Sequence, residues 1–347
     1  GLGIPAEPLF RSSIKKTGWN GNDPGFGDGA AEFYQANYDF YQTLKDMPNG
    51  VYGVSVQAFY RTGWADVSYK DWQNKTAVAA KVYAKSGADS LNTALFNAWE
   101  FAVEGDINNF TPNGAWKGSV LGERNVVNDP PLYIPDDMKA ASYLFSLDPN
   151  NYKQTAYVAV DNGELTFGLK KNDSNPGGNW TLFDNFTLSY FGTAPEAYQM
   201  ALTKGMPAKT EYSTANVSKQ YIDAYDAAYT ATATDKATFS AAVKAVAAAN
   251  DSIAKNTQLW ADLQTKYDES HAVSVEYDLY DAAYNLGDYL DYGYDADGNP
   301  IIPMSVYDYL DAKTMTGDCD LTNKQLEDII ATINKLVEAV YTEVKEG

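Results

Sequence analysis

Residues 178–192 read GNWTLFDNFTLSYFG, an apolar and aromatic run interrupted by one carboxylate and one amide, Asp184 and Asn185. Aromatic and β-branched residues at this density fit a pleated, half-buried strand. Immediately afterwards the composition changes from Gly-rich and strand-like to Ala-rich and helical. The stretch therefore reads as the closing strand of a β domain. Trp180, Phe183, Phe186, Leu188 and Tyr190 supply its faces, and Gly192 precedes the switch. Asp184 is left with three roles: chemistry, a metal, or closing the fold.

The residues before this strand carry the same signature. In VYGVSVQAFYR (51–61), Tyr52, Val54, Val56, Ala58 and Tyr60 alternate with Gly53, Ser55, Gln57 and Phe59, the period of two expected where one face packs inward. The preceding MPNG (47–50) suits a tight reversal. YKQTAYVAV and ELTFGLKK flank Asp161-Asn162-Gly163, a hairpin signal. Short strands with punctuated turns predict an antiparallel β-sandwich or jelly roll. Residues 86–135 read as a long irregular region, and such loops inside a domain are usually functional or disordered. Glycosylation sequons at Asn74, Asn109, Asn179, Asn185 and Asn216 matter only in a host that uses them.

After the strand, Phe239, Ala242, Val243, Val246 and Ile253 recur at helical spacing. Thr322 with Gln325 forms a capping box, with Leu321 and Leu326 at the staple positions. Leu326, Ile329, Ile330, Ile333, Leu336, Val337 and Val340 follow as a buried stripe. Helices are expected near 216–230, 235–270, 275–286, 304–313 and 322–344. DYGYDADGNPIIP fails as an EF-hand, because Gly298 at its sixth position would put Gly293 first and Met304 twelfth. A small hairpin turning at Asp297-Gly298-Asn299 is the better reading. The expected organisation is multidomain, β then α: a sandwich over 1–195, a linker over 196–215, and a helical bundle with a hairpin insertion over 216–347.

Composition narrows the function. The chain of 347 residues has a net charge of −20, which repels nucleic acid. The charge is uneven, with 24 acids against 9 lysines in residues 211–347, and reads as a solvated, solubilising surface. One cysteine, Cys319, rules out an intrachain disulfide, and with one histidine the usual zinc sites are excluded. A bound metal would be a hard ion held by oxygens, calcium first. No organic cofactor is expected, since the glycines of GNDPGFGDGAAEFY lead into strand-like residues and form no phosphate cradle. No apolar run reaches the roughly 20 residues of a membrane span.

His271, in an acidic helical context, is a surface or packing residue and provides no triad base. Two carboxylates of a glycosidase could hide among 46 acids, but nothing in the pattern selects a pair. Stacking remains. Trp64, Tyr69 and Trp72 fall in the polar, loop-like RTGWADVSYKDWQNK beside Arg61, and Trp99 and Trp116 fall in the irregular region. Aromatic faces beside polar side chains are what a sugar ring requires, although each also has a packing reading under its own loop.

AEFYQANYDFYQTLKDMPNGVYGVSVQAFYR resembles the early strands of galactose-binding-like β-sandwiches, the fold of many carbohydrate-binding modules. WTLFDNFTLSYFG resembles their closing strand. The likeness covers residues 17–192 and is nearest to modules of secreted and outer-membrane proteins of Bacteroidetes, where an Ala-rich helical domain often follows. It implies a structural calcium held by an acid on an early strand and an Asp on the last, here Glu32 and Asp184.

Together these readings lead to a non-catalytic, secreted or cell-surface protein that binds glycan through sandwich loops, with a helical domain that spaces or docks other surface proteins. Two rivals stay open: a structural or adhesive protein that binds another protein, and a glycoside hydrolase or lyase with unidentified carboxylates.

Overall fold

The two stretches that anchor the sequence reading, 50–61 and 180–192, pair with each other along most of their length. The computed structural model describes residues 8–10, 18–119, 131–277, 286–293 and 303–346. Along the chain the strands are β1 (Pro8–Phe10), β2 (Trp19–Gly21), β3 (Gly25–Gly27), β4 (Ala30–Tyr34), β5 (Tyr38–Leu44), β6 (Gly50–Arg61), β7 (Lys81–Ser86), β8 (Asp89–Ala94) and β9 (Phe96–Asn97). They continue as β10 (Val103–Glu104), β11 (Trp116–Gly118), β12 (Leu132–Pro135), β13 (Lys153–Val160), β14 (Leu165–Lys171) and β15 (Trp180–Gly192). The helices are α1 (Ala65–Gln73), α2 (Met138–Leu147), α3 (Pro195–Gly205), α4 (Lys219–Tyr229), α5 (Lys236–Glu276), α6 (Val306–Met315) and α7 (Asn323–Glu346).

The chain forms two compact units, Gly1–Pro207 with Thr232–Val243, and Ala208–Ala231 with Lys244–Gly347. The boundary differs from the expected 195. Half of the expected linker is α3, which buries Ala197, Tyr198, Ala201 and Leu202 and packs on β13. Residues 232–243, expected in the bundle, also belong to the β unit. Lys236 Nζ donates to Asp89 Oδ2 and to the Ala159 carbonyl, both at 2.7 Å.

The first unit is an antiparallel β-sandwich with one short parallel pairing, β6 with β9. One sheet runs β13-β6-β15-β4-β3, and the other runs β2-β5-β14-β7-β8. Their inner faces meet in an aromatic layer: Trp19 stacks on Phe40 at 4.4 Å, and Phe183 and Phe186 reach Phe40 and Phe167 at 5.8 and 6.0 Å. The outer face of the β6 sheet is covered too, because Phe59, Tyr152, Trp180 and Leu182 pack with Tyr69 of α1 and with Ala141, Leu144 and Phe145 of α2. Every residue of β6 is therefore buried. Its alternation sorts residues between two covered faces, not between core and water.

The Asp184-Asn185 interruption is a β-bulge. Asp184 pairs with Gln57 and Thr187 with Ser55, so Asn185 and Phe186 together oppose Val56. Asn185 has φ 57°, the left-handed region that asparagine tolerates better than most residues. Its amide donates to Gln57 Oε1 at 2.7 Å, and Gln57 Nε2 in turn donates to the carbonyls of Phe145, Asp148 and Asn151.

Several expectations are corrected. The Asp161-Asn162-Gly163 turn does not close a hairpin, because β13 pairs with β6 and β14 with β5 and β7. It carries the chain from one sheet to the other, as MPNG does between β5 and β6. Distant pairing overrides the local turn signal: β13 finds the longer β6, and β14 sits between β5 and β7 with both edges paired. The described part of 86–135 is also not irregular: it completes the β7–β8 hairpin and builds a three-stranded sheet, β10-β12-β11.

The second unit is helical. The capping box forms as expected, with Thr322 N–H donating to Gln325 Oε1 at 2.8 Å and Gln325 N–H to Thr322 Oγ1 at 3.1 Å. Leu326, Ile329, Ile333 and Val340 bury in one cluster with Trp260, Leu263 and Leu310. The hairpin expected at 297–299 and most of the helix expected at 275–286 lie outside the described residues. No described helix is long and apolar enough to cross a membrane.

Lys313 ties this unit together. It is 2% exposed, donates to the carbonyls of Val217 and Cys319, and lies 5.4 Å from the Trp260 ring centroid. Burial pulls its ammonium below the usual lysine range, so the carbonyls and the ring are its compensation. Lys313→Ala should destabilise the protein by about 3 kcal/mol, because two buried acceptors lose their donor and a cavity opens. Denaturant unfolding of the variant checks this.

Candidate functional site

With the β6 sheet covered on both sides, the sandwich's open face is the outside of the other sheet. Alternation along β5, β14 and β7 turns Phe40, Phe167, Leu169, Val82 and Ala84 inward. The register then sets three outward rows: Asp39, Lys170 and Lys81; Tyr41, Gly168 and Tyr83; Thr43, Thr166 and Lys85. A groove of about 590 Å³ is lined by these residues except Lys81 and Gly168, and also by Gly87, Ala88 and Ser90 of the β7–β8 turn.

Each group in it has a definite role. A Cβ on Gly168 would lie 2.1 Å from the Phe40 carbonyl oxygen, so only glycine allows β5 and β14 to approach here, between Tyr41 and Tyr83 in register. Tyr83 is nearly buried: its hydroxyl donates to Asp39 Oδ1 at 2.7 Å, and Lys170 Nζ sits 4.7 Å from its ring centroid. Burial first, and then the Asp39 contact, push the Tyr83 hydroxyl well above the ordinary tyrosine range, so it remains a proton donor. Thr43 and Thr166 share a hydroxyl hydrogen bond of 2.8 Å. Tyr41 is half-buried and offers the second ring. Among the described residues Asp39 is the one carboxylate in the lining. Such a surface can stack on an apolar face and hydrogen-bond to hydroxyls.

The sequence-predicted ligand residues lie elsewhere, most of them in packing roles. Arg61 is 5% exposed; its Nε donates to the Gly178 carbonyl at 3.0 Å, its Nη1 to Asp136 Oδ1 at 2.7 Å, and its guanidinium caps the Trp180 ring at 4.8 Å. Tyr69 and Trp99 are buried against each other, and Trp99 Nε1 donates to Ser68 Oγ at 3.0 Å. Burial withdraws these three from any ligand. Trp72 leans on Tyr69 and donates to Glu100 Oε2 at 2.8 Å. Trp116 is half-buried, packs on Tyr143, and donates to the Phe110 carbonyl. Trp64 alone of the six is largely exposed, at 54%, and one side of its ring covers Gly177 and Gly178.

The expected loop RTGWADVSYKDWQNK is in fact largely helix α1, and Ser68, Tyr69 and Trp72 at helical spacing were the readable sign of its inward face. The groove residues were missed, although KVYAKS and LTFGLKK show them at alternate positions.

The carboxylates proposed for calcium are diagonal neighbours on adjacent strands: Glu32 pairs with Leu182, two residues before Asp184, which itself pairs with Gln57. Glu32 Oε2 accepts from Trp180 Nε1 at 2.6 Å. Calcium takes about six to eight oxygens, so backbone carbonyls would have to supply most of its shell. Among the described residues no three His, Cys, Asp or Glu side chains gather to hold a metal ion. His271 has its expected packing role, stacked on Tyr267 with Nε2 3.2 Å from Asp291 Oδ2.

No protein-family model and no curated protein matches the sequence. Among solved structures, the chain is similar to CBM51-2 and INT domains from Clostridium perfringens ZmpB, one structure in complex with GlcNAc and one without. Identity is 8% and 9%, the TM-score is 0.19 for each, and 66% and 73% of this chain is covered. The chain spans 37% and 42% of those chains.

Gly168→Ala should cost about 1–3 kcal/mol and distort the groove, since its methyl group must displace the β5 backbone. Thermal unfolding measures the first effect, and amide exchange along β5 the second.

Proposed function

We propose that the β unit is a non-catalytic glycan-binding module and that the groove lined by Tyr41, Tyr83, Thr166 and Lys170 is its site. The observation that carries this reading is the half-buried Tyr41 ring in a groove lined also by a carboxylate, two ammonium groups and paired hydroxyls. Ring CH faces stack on tyrosine while sugar hydroxyls find donors and acceptors at the rim. The volume suits one or two sugar rings, and so few contacts give modest affinity. A protein working this way would be secreted or held at the cell surface, where polysaccharides are met.

Affinity electrophoresis through a panel of plant and host polysaccharides tests the site. Tyr41→Ala should weaken retardation by about tenfold, roughly 1.4 kcal/mol, while a Trp64→Ala, Trp72→Ala double variant keeps it. The reverse outcome would move the site to the α1 end of the sandwich. Unchanged reducing ends after prolonged incubation with the same polymers would separate binding from hydrolysis.

A structural calcium at Glu32 and Asp184 forms a separate part of the proposal. If it is bound there, chelator should lower the melting temperature and Asp184→Ala should abolish that response. A chelator-insensitive melt would leave Asp184 as a bulge residue alone.

A further inference from the structure

We infer that the groove selects an anionic saccharide, one carrying carboxylate or sulfate groups. This rests on the glycan-binding reading above and deepens it. The chain carries a net charge of −20, yet Lys81, Lys85 and Lys170 stand together on one face of two adjacent strands. Lys170 and Lys81 are direct cross-strand partners, an arrangement in which like charges destabilise the sheet. The only carboxylate in the lining, Asp39, lies opposite Lys170 on β5 but takes the Tyr83 hydroxyl as its partner. Among the described residues none of the three lysines forms an ion pair. The nearby Lys45, in contrast, is matched by Glu164.

Two ammonium groups in the lining, Lys85 and Lys170, with Lys81 beside Lys170 on the next strand, against one carboxylate leave a local positive surface that is costly to the fold until an anion arrives. Lys170 is held over Tyr83, and Lys85 faces Thr166 beside the Thr43 hydroxyl. An acidic substituent on a ring stacked at Tyr41 would therefore lie between the Lys170 ammonium, held over Tyr83, and the exposed Lys85. Overall charge makes the argument sharper. A strongly acidic protein repels a polyanion at long range, so measurable binding has to come from a local patch and not from general attraction.

The experiment compares oligogalacturonate with its fully methyl-esterified form, chondroitin sulfate with its desulfated and carboxyl-reduced form, neutral galactan and poly-glutamate, by calorimetry on the full chain. At least one anionic saccharide should bind about tenfold tighter than its uncharged counterpart, and the preference should shrink as ionic strength rises from about 0.05 to about 0.3 M. A Lys85→Gln, Lys170→Gln variant should lose the preference while melting at or above the wild-type temperature. Equal binding of charged and uncharged forms, or binding of galactan alone, would overturn the anionic selection and leave glycan binding standing. A preference that survives in the lysine variant would overturn the assignment to this groove. Binding of poly-glutamate as tight as any saccharide would replace the sugar with an acidic peptide, and binding of nothing on the panel would remove the glycan reading itself.

Discussion

The pairing of β6 with β15 is the constraint on which the first unit depends. Both strands are long, and along β6 both faces are covered, one by the opposing sheet and the other by α1, α2 and the segment around Trp99. A strand buried on both sides leaves no polar group free to find water, so its polar side chains must be satisfied internally. Gln57 shows how this works: it joins three loop carbonyls to the Asn185 bulge and so couples the covering layer to the sheet. The bulge absorbs the extra residue while Phe183 and Phe186 both still face the opposing sheet. Of the two faces of the sandwich, the outside of the β5–β14–β7 layer is the more open among the described residues.

The sequence shows this architecture where periodicity is local. The alternation at 51–61, the closing strand at 180–192 and the capping box at Thr322 all stand where the pattern places them. Pairing partners were less legible. Asp161-Asn162-Gly163 is a good hairpin turn in isolation, but β13 finds β6 a hundred residues earlier, and no local signal encodes that choice. The same limit applies to the site. Whether Trp99 lines a loop or fills a core depends on what covers it, and the cover is supplied by α1 and α2 from either side of it in the chain. The outward residues of β5, β14 and β7 are visible as alternate positions, but only register brings three lysines and two tyrosines onto one face.

Indole hydrogen bonding separates packing tryptophans from candidate ligand contacts more sharply than sequence context does. Trp72, Trp99, Trp116, Trp180 and Trp260 all donate their ring N–H to a protein acceptor. A buried indole needs such a partner, and one that has it is fixed in orientation by its own fold. The same logic applies within the groove. Tyr83 uses its hydroxyl on Asp39 and one ring face on Lys170, so it serves to position both charges. Tyr41, the register partner of Gly168, is the half-exposed ring of the lining. Recognition would thus divide between one residue that holds the charged groups in place and one that meets the ligand.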